Sequence, residues 1–122
     1  MKLEVGQFAR LKSGYICKII NINDLREPNM KYGVEANYLK NVMFIGDDDV
    51  VKASYDIIDI LEVGDYVNSL KVTSVDKTFE ENTLIGLGTN FGFSKFDNDY
   101  KITSVVTHEQ MEQMAYKVEE YE

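Results

Sequence analysis

Several residue types are scarce or missing: the 122 residues include one cysteine, one proline, one histidine and no tryptophan. A single cysteine, Cys17, excludes a disulfide within the chain, so nothing in the sequence indicates an oxidising compartment. With one cysteine and one histidine, His108, a Cys/His zinc site cannot form within one chain. A nucleophilic Cys–His pair would need these two distant residues to meet in space, and we expect no metal or cofactor.

Long hydrophobic runs are also missing. No segment approaches the ~18 consecutive apolar residues of a membrane-spanning helix. The start of the chain, Met-Lys-Leu-Glu-Val-Gly-Gln-Phe, lacks the apolar centre of a secretory signal. We therefore expect a cytoplasmic protein with no membrane partner.

Positive charge is scarce, since 13 Lys and Arg stand against 21 Asp and Glu, a net charge of −8. This balance argues against binding of bulk nucleic acid, whose affinity comes from clustered cations that release counterions. The charge is uneven: residues 1–60 have a net charge of −1 and residues 61–122 of −7, and both arginines, Arg10 and Arg26, lie in the first part. An anionic ligand would find its donors there, although an ordinary solvated surface of mixed charge fits the same pattern.

A six-residue pattern occurs twice. Glu-Val-Gly-Gln-Phe-Ala at 4–9 returns, at an offset of 58, as Glu-Val-Gly-Asp-Tyr-Val at 62–67. Each copy leads into a run rich in β-branched residues, at 15–22 and 70–75, which favours strands because branched side chains pack well on a pleated surface. After the first copy, Gly14 can adopt the positive φ that a tight hairpin needs. Each opening resembles the first strands of SH3-like small barrels.

We therefore predict a mainly β fold made of two small SH3-like, barrel-like β units and a short C-terminal helix. The first unit is expected at 1–52, a connecting turn at 53–61 and the second unit at 62–122. One amphipathic turn in the connection would bury Ile57, Ile60 and Leu61.

The helix has its own start signal. Thr107 and Gln110 fit a capping box, in which Thr107 is the N-cap and the Gln110 side chain reaches back to its amide. Glu109 adds favourable negative charge near the helix start. These features predict a helix over 108–114. Further strands are predicted at 32–39, 42–45, 83–87, 91–96 and 100–106, a turn at 46–49 and an exposed loop at 23–29.

No motif selects a catalytic or metal site. The glycines at 86, 88 and 92 resemble a phosphate-binding loop, but the third falls one residue late for G-x-G-x-x-G and an aromatic strand follows in place of a helix. The acidic runs 47–49 and 97–99 lack the Gly and distal Glu of an EF-hand loop. We interpret these segments as turns, and no spacing selects a pair of catalytic carboxylates.

Aromatic residues are more informative, with eight Tyr and six Phe. Phe91 and Phe93 alternate as one face of a strand does, which fits a core and also fits a wall on which a base could stack. On an extended first strand Phe8, Arg10 and Lys12 would share a face, and that stripe could bind an anion. The same stripe also fits the surface of an ordinary edge strand.

The repeated opening, together with Ile-Thr-Ser-Val-Val-Thr-His-Glu-Gln-Met-Glu at 102–112, resembles a group of small phage and prophage accessory proteins of Firmicutes. The resemblance is strongest over 57–72 and 102–118. It implies a genetic setting in an infected host cell and a counter-defence role, in which such proteins bind a host protein or a host signalling nucleotide. It transfers no catalytic residue.

Three functions remain open. The first is a non-catalytic protein that sequesters a small nucleotide-derived immune signal, either cyclic or of the ADP-ribose type. The second is an acidic inhibitor that blocks a host defence protein. The strongly negative second half of the chain favours this function, because complementary charge steers the association of two proteins. The third is a hydrolase that depends on carboxylates or a metal. The first is preferred, because cations concentrate in the first half, aromatics are abundant and no catalytic set is evident.

The preferred function assigns a role to each candidate ligand-binding residue. The cations would meet phosphate and the other three residues would contact base or ribose. We also expect a homo-oligomer with the pocket between subunits, because a small chain with exposed strand edges tends to associate. The residues that would meet phosphate are Arg10, Lys12 and Arg26, and those that would contact base or ribose are Tyr15, Asn90 and Phe91.

Overall fold

The computed structural model describes residues 2–36, 42–77, 82–89, 91–94 and 100–114, and the elements below lie within these ranges. The first part holds five strands: β1 (Phe8–Leu11), β2 (Ile16–Ile22), β3 (Tyr32–Glu35), β4 (Met43–Ile45) and β5 (Val50–Ser54). The second part holds β6 (Tyr66–Val67), β7 (Leu70–Lys77), β8 (Thr83–Leu87), β9 (Phe91–Ser94), β10 (Val105–Val106) and the helix α1 (His108–Met114). Short 3-10 helices cover Pro28–Met30, Asp47–Asp49 and Ile57–Ile60.

The two parts repeat one topology. In the first sheet the strand order is β4-β3-β2-β1-β5, so four strands form a meander and the fifth returns to pair with the first. The second sheet has the order β10-β6-β7-β8-β9, which is the same arrangement with β10 in the place of β5. All pairings are antiparallel. The prediction of a mainly β protein with two small β units and a short C-terminal helix is confirmed.

Each sheet packs on its own core. The first core is built around Ala9, Ile19 and Val34, each with no exposed surface. The second is built around Val67, Val72 and Ile85, with Ile58 and Leu61 of the connecting segment packed against them. The amphipathic turn expected in the connection is present as a 3-10 helix, but Ile58 is buried where Ile57 was expected. A 3-10 helix repeats every three residues, so Ile58 and Leu61 share a face.

The repeated sequence forms the same turn twice. Gly6 and Gly64 have φ of +95° and +97°, in the left-handed region that glycine adopts without cost. Gly6 N donates to Ile19 O at 2.8 Å, and Gly64 N donates to Val72 O at 2.9 Å. In each copy the fourth residue caps the turn, because the Gln7 side chain accepts from Glu4 N and the Asp65 carboxylate accepts from Glu62 N. The repeat in sequence is therefore also a repeat in structure.

The predicted elements are mostly confirmed where the structure describes them. Helix α1 has the predicted bounds, and its capping box forms, because Gln110 Oε1 accepts from Thr107 N at 3.0 Å. The strand predicted at 100–106 is shorter and covers only β10. The sequence did not predict strand β5, because this strand follows the acidic turn directly and its five residues include Lys and Ser, which give no strand signal. The predicted strand ends at 37–39 and 95–96 lie outside the described residues.

A buried ion pair joins the two units. Arg10 on β1 and Asp65 in the second repeated turn are both 0% exposed, and their contact is bidentate: Nη1 to Oδ2 at 2.6 Å and Nη2 to Oδ1 at 2.9 Å. Asp65 also accepts from Glu62 N at 2.7 Å and from His108 N at 2.9 Å, so each carboxylate oxygen has two donors. Arg10 further donates to Ile60 O at 3.1 Å. Four elements thus meet at one salt bridge.

The internal repeat provides a matched test of this ion pair. Asp65→Ala should lower the free energy of unfolding by about 3–5 kcal/mol, because it removes the fully buried carboxylate that pairs with the buried guanidinium of Arg10. Gln7→Ala removes the equivalent turn cap in the first unit, where the Gln7 side chain accepts from Glu4 N, and should cost about 0.5–1.5 kcal/mol. Urea denaturation of both variants measures the difference. Equal losses would show that Asp65 acts only as a turn cap.

Helix α1 is fixed to the hairpin of the first unit. Thr107 Oγ1 donates to Gly14 O at 2.7 Å, and Gln113 Nε2 donates to Ser13 O at 2.7 Å. Gly14 has a φ of +91°, and a Cβ at this position would lie 2.5 Å from Glu109 Cβ and 2.8 Å from Thr107 Oγ1. The glycine thus serves the predicted hairpin turn and also allows the helix to approach it.

Gly14→Ala should therefore disturb the contact between the units. We expect a loss of stability of about 1–2 kcal/mol from the left-handed backbone and about 1–3 kcal/mol more from the clash with α1. Gly88→Ala is the control, since Gly88 has a φ of +59° but nothing lies within 4 Å of its added Cβ. Denaturation curves that gave the same loss for both variants would contradict the packing argument.

Candidate functional site

Arg10 does not lie on an exposed strand. β1 is an inner strand, paired with β2 on one side and β5 on the other. The alternative interpretation of the Phe8, Arg10 and Lys12 stripe as the surface of an edge strand is therefore wrong. Its guanidinium is enclosed by Asp65, Glu62 and Glu109, so its donors face protein carboxylates where a phosphate had been expected. Burial alone would lower the pKa of Arg10, but the hydrogen bonds to Asp65 and Glu109 outweigh burial and raise it, so the side chain stays charged.

The other candidate residues are dispersed. Lys12 is exposed just beyond β1, and Tyr15 packs at the margin of the first core. Arg26 lies in the loop after β2, where it donates to Asn21 Oδ1 at 2.7 Å and its guanidinium sits 4.7 Å from the ring centre of Phe44. Phe91, on the second sheet, is 48% exposed and its ring contacts Tyr100. Asn90 lies outside the described residues.

A cleft lies between the two units, and its volume is about 480 Å³. One wall comes from the outer face of the first sheet and the other from the segment before β10 together with α1. No described member of the predicted set lines it. The lining residues are Phe8, Ile16, Cys17, Lys18, Glu35, Ala36, Ile57, Ile102, Thr103, Ser104, Val105 and Gln110.

The cleft combines an aromatic ring with a cation. Phe8 on β1 and Lys18 on β2 are cross-strand partners, and Lys18 Nζ lies 5.6 Å from the centre of the Phe8 ring. Glu35 on β3 is the next partner of Lys18 and is the one carboxylate among the lining residues. Lys18 is exposed, so its ammonium can turn toward a ligand. Ile16, Ile57 and Ile102 supply apolar surface beside this pair.

The side-chain amide of Asn68 holds the backbone of the opposite cleft wall. Asn68 Oδ1 accepts from Thr103 N at 2.7 Å and from Ser104 N at 3.1 Å, while Asn68 Nδ2 donates to Lys101 O at 2.8 Å. Asn68 has a φ of +50° and forms, with Ser69, the two-residue turn between β6 and β7. Thr103 and Ser104 are exposed at the cleft, and this turn fixes their backbone.

A second group of chemically active side chains surrounds Arg10. His108 Nε2 lies 3.0 Å from both Glu62 Oε1 and Glu109 Oε1, and Lys52 Nζ lies 3.2 Å from Glu62 Oε2. The contact with Glu62 raises the pKa of His108, aided by the charge of Glu109. Burial would raise the pKa of Glu62, but His108 and Lys52 outweigh it and the pKa is lowered. Among the described residues, Glu62, His108 and Glu109 form the one group whose ligand atoms could share a metal ion.

Cys17 is not activated as a nucleophile. Its side chain is 3% exposed, and its sulfur contacts Ala9 O at 3.7 Å. Burial raises the pKa of this thiol to about 11, so it is protonated at neutral pH. His108 bonds to Glu62 rather than to Cys17. The two residues therefore do not form a catalytic pair.

Of the cleft wall formed by the first sheet, the sequence singled out only Phe8. Phe8 belongs to the predicted stripe, and strand alternation does place it on the face of β1 that carries Arg10. Lys18 follows as the cross-strand partner of Phe8, which requires knowledge of the hairpin register. Thr103 and Ser104 reach the cleft through the return of β10 to β6, a long-range contact for which the sequence has no local signal.

These features define a tandem of two small β units with a cleft between them. No known protein family, curated protein or solved structure matches the chain. Within the described ranges, no helix is long and apolar enough to cross a membrane.

Proposed function

We propose that the protein is a non-catalytic binding protein whose interunit cleft sequesters a small nucleotide-derived ligand. The observation that carries this proposal is the Phe8–Lys18 pair in a cleft of about 480 Å³. Ligand sites for small molecules occupy about 300–1,000 Å³ and combine apolar walls with a few polar groups. A nucleotide needs a surface for its base and a cation for its phosphate, and this pair supplies both.

The cleft favours binding over reaction. Its lining has one carboxylate, Glu35, and no histidine, so it has neither a carboxylate pair nor a carboxylate–histidine pair for general acid–base catalysis. Cys17, the one thiol there, is buried and protonated. The Ser104 hydroxyl can hydrogen-bond a ribose, and the Thr103 hydroxyl, which donates to Asn68 Oδ1 at 2.9 Å, can accept from one. All of the lining residues named for the cleft belong to one chain.

The biological setting of this proposal comes from the sequence resemblance alone. A phage accessory protein that holds a cyclic or ADP-ribose-type nucleotide would withhold an immune signal from its host receptor. Sequestration requires affinity without turnover, which fits a cleft that binds through an aromatic face and a single ammonium.

The test is a panel of cyclic dinucleotides, cyclic ADP-ribose, ADP-ribose and mononucleotides. At least one should raise the melting temperature of the protein, and chromatography after incubation should recover it unchanged. Lys18→Gln should weaken its binding about 10-fold or more, since a hydrogen bond to a charged group contributes about 1.5–3 kcal/mol. Lys12→Gln is the matched control, because Lys12 is exposed just beyond β1 but does not line the cleft.

Two results from the nucleotide panel would contradict the proposal. One is the absence of stabilisation by every nucleotide, together with no nucleotide released when the purified protein is denatured. The other is conversion of the bound nucleotide to product, which would favour the hydrolase. Equal weakening by Lys18→Gln and Lys12→Gln would place the ligand outside the cleft.

A further inference from the structure

We infer that Glu62, His108 and Glu109 bind one divalent metal ion of the zinc type. None of the three lines the cleft, so this site is independent of the proposed nucleotide function. The three side chains are 27%, 33% and 23% exposed, which leaves a path from solvent to their ligand atoms.

The ligand atoms already have the spacing of a coordination shell. His108 Nε2 lies 3.0 Å from Glu62 Oε1 and 3.0 Å from Glu109 Oε1, and all three atoms lie within 4.8 Å of one another. Bonds of about 2.0–2.2 Å at tetrahedral angles put ligand atoms about 3.3–3.6 Å apart. Zinc binding would therefore open each distance from His108 Nε2 by a few tenths of an ångström and bring the two carboxylate oxygens, now within 4.8 Å, to a similar separation, with the fourth position left to water.

The geometry leaves one proton for two acceptors. A protonated Nε2 carries a single hydrogen, yet two carboxylate oxygens approach it at the same 3.0 Å. One hydrogen can point directly at only one of them, or it is shared between both in a weaker bifurcated bond. A metal ion at that point uses the nitrogen lone pair and contacts both oxygens, so it satisfies all three atoms at once.

The protein backbone holds the ligands in place without the metal. Glu62 begins the second repeated turn, which Asp65 caps. His108 and Glu109 begin α1, which Thr107 and Gln110 cap. Arg10 then acts as an outer partner, since Nη2 contacts Glu109 Oε1 and Nε lies 3.4 Å from Glu62 Oε2. Hydrogen bonds of this kind orient ligating carboxylates in metal sites.

The charge at the site leaves room for a divalent cation. Three carboxylates, of Glu62, Asp65 and Glu109, face two cations, Arg10 and Lys52. Asp65 is committed to four hydrogen bonds and is not a ligand. The Lys52 side chain is 44% exposed and its Nζ lies 3.2 Å from the far oxygen of Glu62, so it can turn into solvent when a metal binds.

The donor set favours zinc over calcium or magnesium. Hard cations such as calcium take six to eight oxygen ligands, whereas imidazole nitrogen with carboxylate oxygen in low coordination number suits zinc. Two carboxylates with one imidazole and an open fourth position are therefore a set for zinc or a metal of similar preference, such as cobalt(II).

The experiment uses the full chain without a polyhistidine tag, treated with EDTA and titrated with ZnCl₂ by calorimetry. One zinc per chain is expected, and His108→Gln should weaken binding at least about 10-fold. Lys52→Gln is the control: it removes a competing cation beside Glu62, so affinity should stay equal or rise. Equal loss in both variants, or no binding to the unaltered protein, would overturn the site.

A second measurement does not depend on the variants folding. The chain has one histidine, so its ring ¹H and ¹⁵N signals report this site without ambiguity. Zinc should shift the His108 Nε2 signal in proportion to added metal up to one equivalent, while magnesium at the same concentration should not. Zinc binding without a shift of that signal would assign the metal to other residues and overturn the proposal.

Discussion

The buried salt bridge between Arg10 and Asp65 is the interaction on which the relation of the two units depends. Neither side chain touches solvent, and each would carry a heavy desolvation penalty alone. The bidentate contact offsets that penalty, and the remaining lone pairs of Asp65 are filled by backbone donors from the second turn and from α1. Because these donors come from separate segments, the charge pair fixes β1, the turn and the helix relative to one another.

The repeat explains how this arrangement could arise from two similar units. Both copies build one glycine turn with a capping side chain, and they differ at its fourth position, where Gln7 stands in the first and Asp65 in the second. A neutral amide cap suffices for a turn near solvent. The carboxylate performs the same local task and also holds a guanidinium from the other unit. One substitution in the repeat thus converts a turn cap into an interunit bond.

Local signals in the sequence were sufficient for much of the fold. The capping box at Thr107 and Gln110 determined α1, and the repeated glycine turns indicated two β units. The candidate site was predicted less well, because a cation on an alternating strand looks the same whether its face meets solvent or another unit. The sequence therefore predicted a phosphate ligand for Arg10, whereas its partner in the structure is the carboxylate of Asp65, 55 residues away. The return of β5 makes β1 an inner strand, and Asp65 together with the start of α1 covers the face that carries Arg10. Both are long-range contacts without a local signal in the sequence.

The covered face also explains why the two candidate sites are separate. Phe8 and Arg10 project from the same side of β1, two residues apart, toward the second unit. Around Phe8 the units leave a cleft, and around Arg10 they close through carboxylates, one of which, Glu109, faces His108. Gln110 lines the cleft, while the neighbouring His108 and Glu109 belong to the other cluster. The proposed cleft site thus borders α1 at Gln110 and the proposed metal site borders it at His108 and Glu109, so the first turn of one helix separates the two.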